Sequence, residues 1–179
     1  MLGDSFVLED LTSHPDFPEI EEHGTTFVEN ATLKAVAASQ WLGPRVLVLA
    51  DDSGLAVDAL NGEPGVRSAR FAGPKATDAE NTALLLKRLQ GVPGPERTAR
   101  FHCVIAIAEA GKVLATFEGR CEGTILEAPR GEGGFGYDPV FQPVGSTLSF
   151  AELGPEAKNA ISHRAKALQP ALAWLKRKV

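Results

Sequence analysis

Cysteine is scarce in this 179-residue chain: there are two, Cys103 and Cys121, both in strand-like segments. Two thiols so placed make neither a disulfide framework nor a thiolate metal cage, and a buried reduced pair is expected. No apolar run approaches the ~18 residues of a membrane span and no leader pattern opens the chain, so a soluble, unexported, cytoplasmic protein is expected. Cationic excess is missing too. Lys and Arg number 18 against 23 Asp and Glu, a formal net charge of -5. That balance argues against broad nucleic-acid or anionic-membrane binding. It still permits a polyphosphate ligand, because a local basic cluster or a bound divalent cation reverses the local sign. Repeats, low-complexity tracts and linkers are also lacking, so residues 1–179 read as one domain with a core of ordinary size.

What is present centres on Val46-Leu47-Val48-Leu49-Ala50-Asp51-Asp52-Ser53-Gly54-Leu55. The unbroken aliphatic run predicts a strand buried on both faces, ending at Ala50, with the carboxylates at its exit into a crevice. Adjacent aspartates repel, and a cation would relieve them. A capped Asp-Asp-Ser-Gly turn is the structural alternative.

Around this run, Phe6-Val7-Leu8 reads as a short strand. Thr26-Phe27-Val28-Glu29 is a capping box opening a helix through Ala31, Ala35, Ala38 and Leu42, stopped by Gly43-Pro44. A second box, Thr77 with Glu80, opens a helix to about Leu89. Thr98 to Ala108 predicts a strand with Phe101, Cys103, Ile105 and Ile107 on one face. Ala110-Gly111-Lys112 turns it into Val113 to Glu118, and Arg120 to Ile125 reads as a further strand. Ser149 to Glu152 is a third capping signature. A final helix is expected from Pro155 to about Lys178, kinked or divided at Pro170. Helices and strands mix without strict alternation and a hairpin is present, which predicts an α/β fold with a mixed central sheet flanked by helices.

Four clusters could carry chemistry. Glu21 and Glu22, with Glu29 and Asn30, either hold a cation or merely complement a helix N-terminus. Asp51-Asp52-Ser53, with a glutamate of the first cluster, could hold Mg²⁺ and poise a water. Gly131 to Pro139 places Phe135 and Tyr137 for stacking in a loop whose glycines allow close approach, with Asp138 able to accept from a base edge; a tight connection with aromatic core anchors is the alternative. Lys158, Ser162, His163 and Arg164 form a cationic helix segment, either a polyphosphate or purine clamp or a solvated face.

Glu21 to Ala31, Ala50 to Leu55, Pro64 to Gly73, Gly134 to Pro139 and Lys158 to Arg164 together resemble, in order, the inosine triphosphate pyrophosphatase-like family. The resemblance implies Mg²⁺-dependent hydrolysis of ITP, dITP and XTP to monophosphate and pyrophosphate, which cleanses the nucleotide pool. It also implies two lobes with a substrate cleft between them, and a homodimer. On that pattern Asp52 is the general base and a metal partner, and Glu21 or Glu22 is the second metal carboxylate. Ser53 contacts substrate, Phe135, Gly136, Tyr137 and Asp138 stack on and read the purine, Lys158, His163 and Arg164 complete the pocket, and Lys34 points at phosphate. One departure stands out. The family's opening strand and Thr/Ser-x-Asn-x-x-Lys loop have no counterpart, and Met1 to Asp4 resembles the end of the helix that follows that loop. An N-terminally truncated chain with family-like folding and weakened turnover is therefore expected. A related pyrophosphatase acting on pyrimidine or modified nucleotides, or a nucleotide-binding module without turnover, are the rival readings.

Overall fold

The computed structural model describes residues 6–178. Four strands, β1 (Val48–Val57), β2 (Thr98–Glu109), β3 (Lys112–Ile125) and β4 (Phe141–Pro143), form a sheet in the order β1-β2-β3-β4. Every pairing among the described residues is antiparallel. The helices are α1 (Phe27–Leu42), α2 (Asp78–Arg88), α3 (Pro155–Ile161) and α4 (His163–Lys176).

Two long strands shared by separate cores give the molecule its two lobes. In one lobe the sheet is sandwiched. Cys103, Ile105 and Ile107 of β2 pack on Ala167, Ala171 and Leu175 of α4, while Val104, Ala106 and Ala108 face Ala31 and Ala35 of α1. The period of two in β2 thus meets the i, i+4 alanine spacing on either helix, and small side chains let both helices lie close to the sheet. In the other lobe the opposite ends of β1–β3 contribute Leu55, Val57, Phe101 and Cys121, which pack with Leu85 and Leu89 of the α2 region and with Tyr137, Phe141 and Phe150. Each fully buried leucine, isoleucine or phenylalanine here is worth roughly 1.5–3 kcal/mol. Both cysteines are buried free thiols, as their placement predicts.

Both helix-opening boxes form. Thr26 accepts from the Glu29 amide and Thr77 from the Glu80 amide, and each glutamate returns to the cap backbone. Several other expectations need correction. Phe6-Val7-Leu8 is not a strand: Val7 and Leu8 are 90% and 76% exposed, and without a ladder partner among the described residues the segment stays irregular. The strand expected to end at Ala50 begins at Val48 and continues through both aspartates to Val57. Leu49 near its start, and Leu47 just before it, are exposed, because β1 is the outer strand of the described sheet. Gly54 is consequently no turn glycine. A Cβ there would meet the Gly65 carbonyl at 2.4 Å and the Ser68 hydroxyl at 2.6 Å, so its absence lets the 3-10 turn Gly65–Arg70 lie against the strand.

The two short strands expected over 113–125 are one, β3. Gly119 in its middle is a site of close approach, where a Cβ would sit 2.1 Å from the His163 carbonyl oxygen of α4. The third capping signature closes a turn rather than opening a helix: Ser149 and Glu152 exchange their bonds, but no helix follows until Pro155. The C-terminal helix divides at Ser162, whose extended backbone (φ -66, ψ 153) ends α3 and caps α4. Pro170 stays inside α4 on its exposed side, where water can serve the carbonyl it leaves unpaired. Met1 to Asp4 lies outside the described residues.

Candidate functional site

Pairing register separates the two aspartates. Asp52 is opposite Val104, whose face meets α1; Asp51 is opposite Ile105, whose face meets α4. Neighbouring strand residues project to opposite faces, so the two carboxylates do not share one cation.

On the α1 face, Lys34 bridges two carboxylates. Its Nζ lies 3.0 Å from Glu22 Oε1 and 3.1 Å from Asp52 Oδ1. Asn30, one helical turn before Lys34, donates from Nδ2 to Asp52 Oδ2 at 3.3 Å while its Oδ1 accepts from the Gly24 amide at 2.8 Å. That second bond fixes which way the amide faces. Asp52 is only 7% exposed. Burial raises its pKa above the ordinary carboxylate value, and Lys34 opposes that rise only in part. Burial also works against the Lys34 charge, but the Glu22 hydrogen bond and the Asp52 charge outweigh it and hold its pKa up. Of the glutamate pair, Glu22 joins this cluster, whereas Glu21 is exposed. The Arg70 guanidinium reaches the Glu22 carbonyl at 3.4 Å, which places a second cation beside the cluster.

On the α4 face, Arg164 binds Asp51 Oδ2 through Nε at 3.1 Å and Nη2 at 2.9 Å. Ser53, two residues along the same face, donates to that oxygen at 3.0 Å. Beyond Arg164 opens a cleft of about 310 Å³ lined by Phe135, Phe150, Lys158, Ser162, His163 and Arg164. Phe135 is 61% exposed, with Lys158 Nζ 4.6 Å and the Arg164 guanidinium 5.9 Å from its ring centre. His163 stacks on Phe101 at 4.8 Å. Burial, reinforced by Arg164 and Lys158, pushes its pKa down to about 3, so the imidazole is neutral. Its Nδ1 is buried without a partner among the described residues.

The remaining expected residues hold the loop rather than line the cleft. Tyr137 is 4% exposed, its ring in the core and its hydroxyl donating to the Ser68 carbonyl at 2.8 Å. It therefore offers no open stacking face, and burial raises its pKa. Asp138 points inward, accepting from the Phe135 amide at 2.8 Å and pairing with Lys158. Gly136 takes a left-handed backbone (φ 59). Lys158 and Ser162 both line the cleft, and the Ser162 amide still bonds to the Lys158 carbonyl at 2.9 Å as Ser162 ends α3 and caps α4.

Sequence reasoning missed the partners: Asn30 for Asp52, Asp51 for Arg164, and Ser68 for Tyr137. Only Asn30 carried a local signal, its i, i+4 spacing to Lys34.

Two carboxylates around one cation, beside a cationic and aromatic cleft, form an arrangement able to hold a phosphorylated, flat-ringed ligand. Comparison with known proteins agrees. The dITP/XTP pyrophosphatase of Geobacillus kaustophilus is 58% identical over 161 residues, covering 90% of this chain and 78% of that protein. That of Geobacter sulfurreducens is 53% identical over 166 residues, 93% of this chain and 82% of that protein. Among solved structures, the Staphylococcus aureus Ham1 protein superposes with a TM-score of 0.87 at 40% identity, covering 94% of this chain and 86% of that one. The Mycobacterium abscessus nucleoside-triphosphatase / dITP/XTP pyrophosphatase does so at 0.77 and 46% identity, covering 92% and 83%. With the Ham1 family model matching residues 1–174, the chain belongs to the Ham1 family.

Proposed function

We propose that this chain hydrolyses ITP, dITP and XTP to the monophosphate and pyrophosphate. The observation that carries the reading is the Glu22–Lys34–Asp52 cluster, which lies one residue along β1 from the Asp51–Arg164 pair at the mouth of the Phe135 cleft. A nucleotide with its base against Phe135 then passes its phosphates over the outer edge of β1 to Asp52 on the other face.

Asp52 serves as general base. It is held by Asn30 and Lys34, and its burial makes it a better proton acceptor than an ordinary carboxylate. Lys34 and Arg70 supply positive charge for the phosphate chain. Glu22 and Asp52 suit Mg²⁺, since they already share one cation, and Mg²⁺ binds through one or two carboxylates with water and phosphate oxygens completing its shell. When bound, that ion supplies charge neutralisation at the leaving pyrophosphate. Base choice falls to Lys158 and Arg164, donors above Phe135 that match a 6-oxygen and would face the amine of adenine donor to donor. Neutral His163 adds no charge to the pocket. Gly136, Tyr137 and Asp138 shape its wall, and Ser53 steadies Asp51. A single domain acting as a cytoplasmic homodimer completes the reading. Exposed Leu49 on the outer strand, with Val46 and Leu47 just before it and Trp41, supports self-association, and light scattering in solution tests it.

The test is pyrophosphate release from ITP, XTP, ATP, GTP, dTTP and UTP with Mg²⁺, for wild type and Asp52→Asn. Turnover of ITP and XTP well above the others, with loss of at least a hundredfold in the variant, is expected. Preference for dTTP or UTP would move the substrate to pyrimidines. Calorimetric binding of ITP without product would make the chain a binding module.

A further inference from the structure

Phe135 is 61% exposed on a loop whose apolar anchor, Tyr137, enters the core two residues further on. Glycines flank it at Gly133, Gly134 and Gly136, and both Gly134 (φ 76) and Gly136 (φ 59) are left-handed. Such a loop loses much conformational freedom when its aromatic is held in one place, so something has to hold it. Within the loop, the Asp138 carboxylate takes the Phe135 amide. Beyond the Tyr137 anchor, a further hold comes from helix α2, more than fifty residues earlier. Asp78 Oδ2 accepts the Gly136 amide at 2.7 Å, and Thr82 Oγ1 donates to the Gly136 carbonyl at 3.3 Å. Asp78 and Thr82 are spaced i, i+4, so they present one face of α2 to one residue of the loop and take both its backbone groups. The bond from Asp78 is charge-assisted and is the stronger of the two. As the first helical residue, Asp78 would also complement the helix N-terminus, but that role asks only for charge and not for a bond to Gly136.

We infer that Asp78, supported by Thr82, is a positioning residue for the purine platform: it fixes Gly136 and thereby sets Phe135 beneath Lys158 and Arg164. The inference rests on the nucleotide-hydrolase reading for its kinetic consequence, but not for its structural one. Loss of the clamp lets the platform wander before substrate arrives. The cost therefore falls on binding, while Asp52 and Lys34, on the other face of the sheet, keep their chemistry.

The experiment compares wild type, Asp78→Ala, Asp78→Asn and Thr82→Val by hydrogen exchange of the ligand-free protein and by steady-state kinetics with ITP. In Asp78→Ala, exchange at the Phe135 and Gly136 amides should rise about tenfold while the α2 interior stays protected, and KM should rise about tenfold with kcat within about twofold. Asp78→Asn keeps an acceptor oxygen and should recover most of both effects. Thr82→Val should shift each by a few-fold. Unchanged exchange at 135–136 in Asp78→Ala overturns the inference, as does a loss of protection throughout α2 that Asn does not rescue. If exchange responds as described but wild type releases no pyrophosphate, the clamp stands and the hydrolase reading is what fails.

Discussion

Lys34 is the cation between two carboxylates, and its replacement by methionine keeps the length of the side chain while removing the charge. Both carboxylates touch the same Nζ, at 3.0 and 3.1 Å, and all three side chains are largely shielded from water. Glu22 and Asp52 then face one another within about 6 Å, and at an effective dielectric of about 20 their repulsion is about 3 kcal/mol, against ~0.7 kcal/mol in bulk water. A loss of about 1–3 kcal/mol corresponds to a fall of roughly 2–10 °C in melting temperature for a domain of this size. The pH dependence has a definite sign. Burial already raises the Asp52 pKa, and Lys34 is the group that chiefly opposes this. Without Lys34 the native pKa rises further, and a raised carboxylate contributes stability below its unfolded value that is lost as pH rises through the folded one. The Lys34→Met deficit should accordingly be largest at pH 8 in EDTA and shrink toward pH 4. Millimolar Mg²⁺ should recover much of it, and so should the double variant with Asp52→Asn, where one of the two charges is gone. Equal melting of Lys34→Met and wild type at pH 8 in EDTA, with no response to Mg²⁺, would show that Glu22 and Asp52 are not coupled and would remove the cation site with them.

Two further perturbations probe the α4 side. His163 stays neutral in the folded chain down to about pH 3, whereas the unfolded imidazole takes its proton near 6.5, so its stabilisation is complete above 6.5 and drains away as pH falls toward 3. By pH 5 this costs roughly 2 kcal/mol, and His163→Phe, which keeps the stack on Phe101, should lack that part of the acid-induced fall in melting temperature; an identical fall in both proteins would refute it. Gly119→Ala places a methyl against the His163 and Ala167 backbone at 2.1 and 2.4 Å, and backbone cannot rotate aside. A loss of about 1–3 kcal/mol with a raised KM for ITP is expected, measured by denaturant unfolding and kinetics, and wild-type values in both would show that α4 does not sit on β3 in solution.

The parts of this fold legible in the sequence are those whose cause is local. Thr26 with Glu29 and Thr77 with Glu80 open their helices as their spacing says, because a cap and its partner lie within one turn. The alternation in β2 is equally readable, since Cys103, Ile105 and Ile107 meet one helix and Val104, Ala106 and Ala108 another. Legibility fails where a distant element supplies the cause. Gly119 looks like a break between strands until α4 is laid over it, and Gly54 looks like a turn until the Gly65–Arg70 segment is placed against it. Ser149 and Glu152 satisfy the same local chemistry as the true helix starts, but the chain turns instead, and Pro155 opens the next helix.

The Asp51-Asp52 pair carries that distinction into the candidate site. Read as the polar exit of a strand ending at Ala50, the two carboxylates share one environment and ask for one cation. Within a strand that runs to Val57 they belong to different faces, and the repulsion between them is answered twice. Lys34 of α1 takes Asp52, and Arg164 of α4, 113 residues away, takes Asp51. No local pattern reports a partner at that separation, so Asp51 reads as an accessory to Asp52 when it is the other half of a division of labour. The strand carries one buried carboxylate and one partly exposed one, each met by a cation from its own face, and that ties the acidic cluster and the cleft beside Phe135 to the same ten residues of β1.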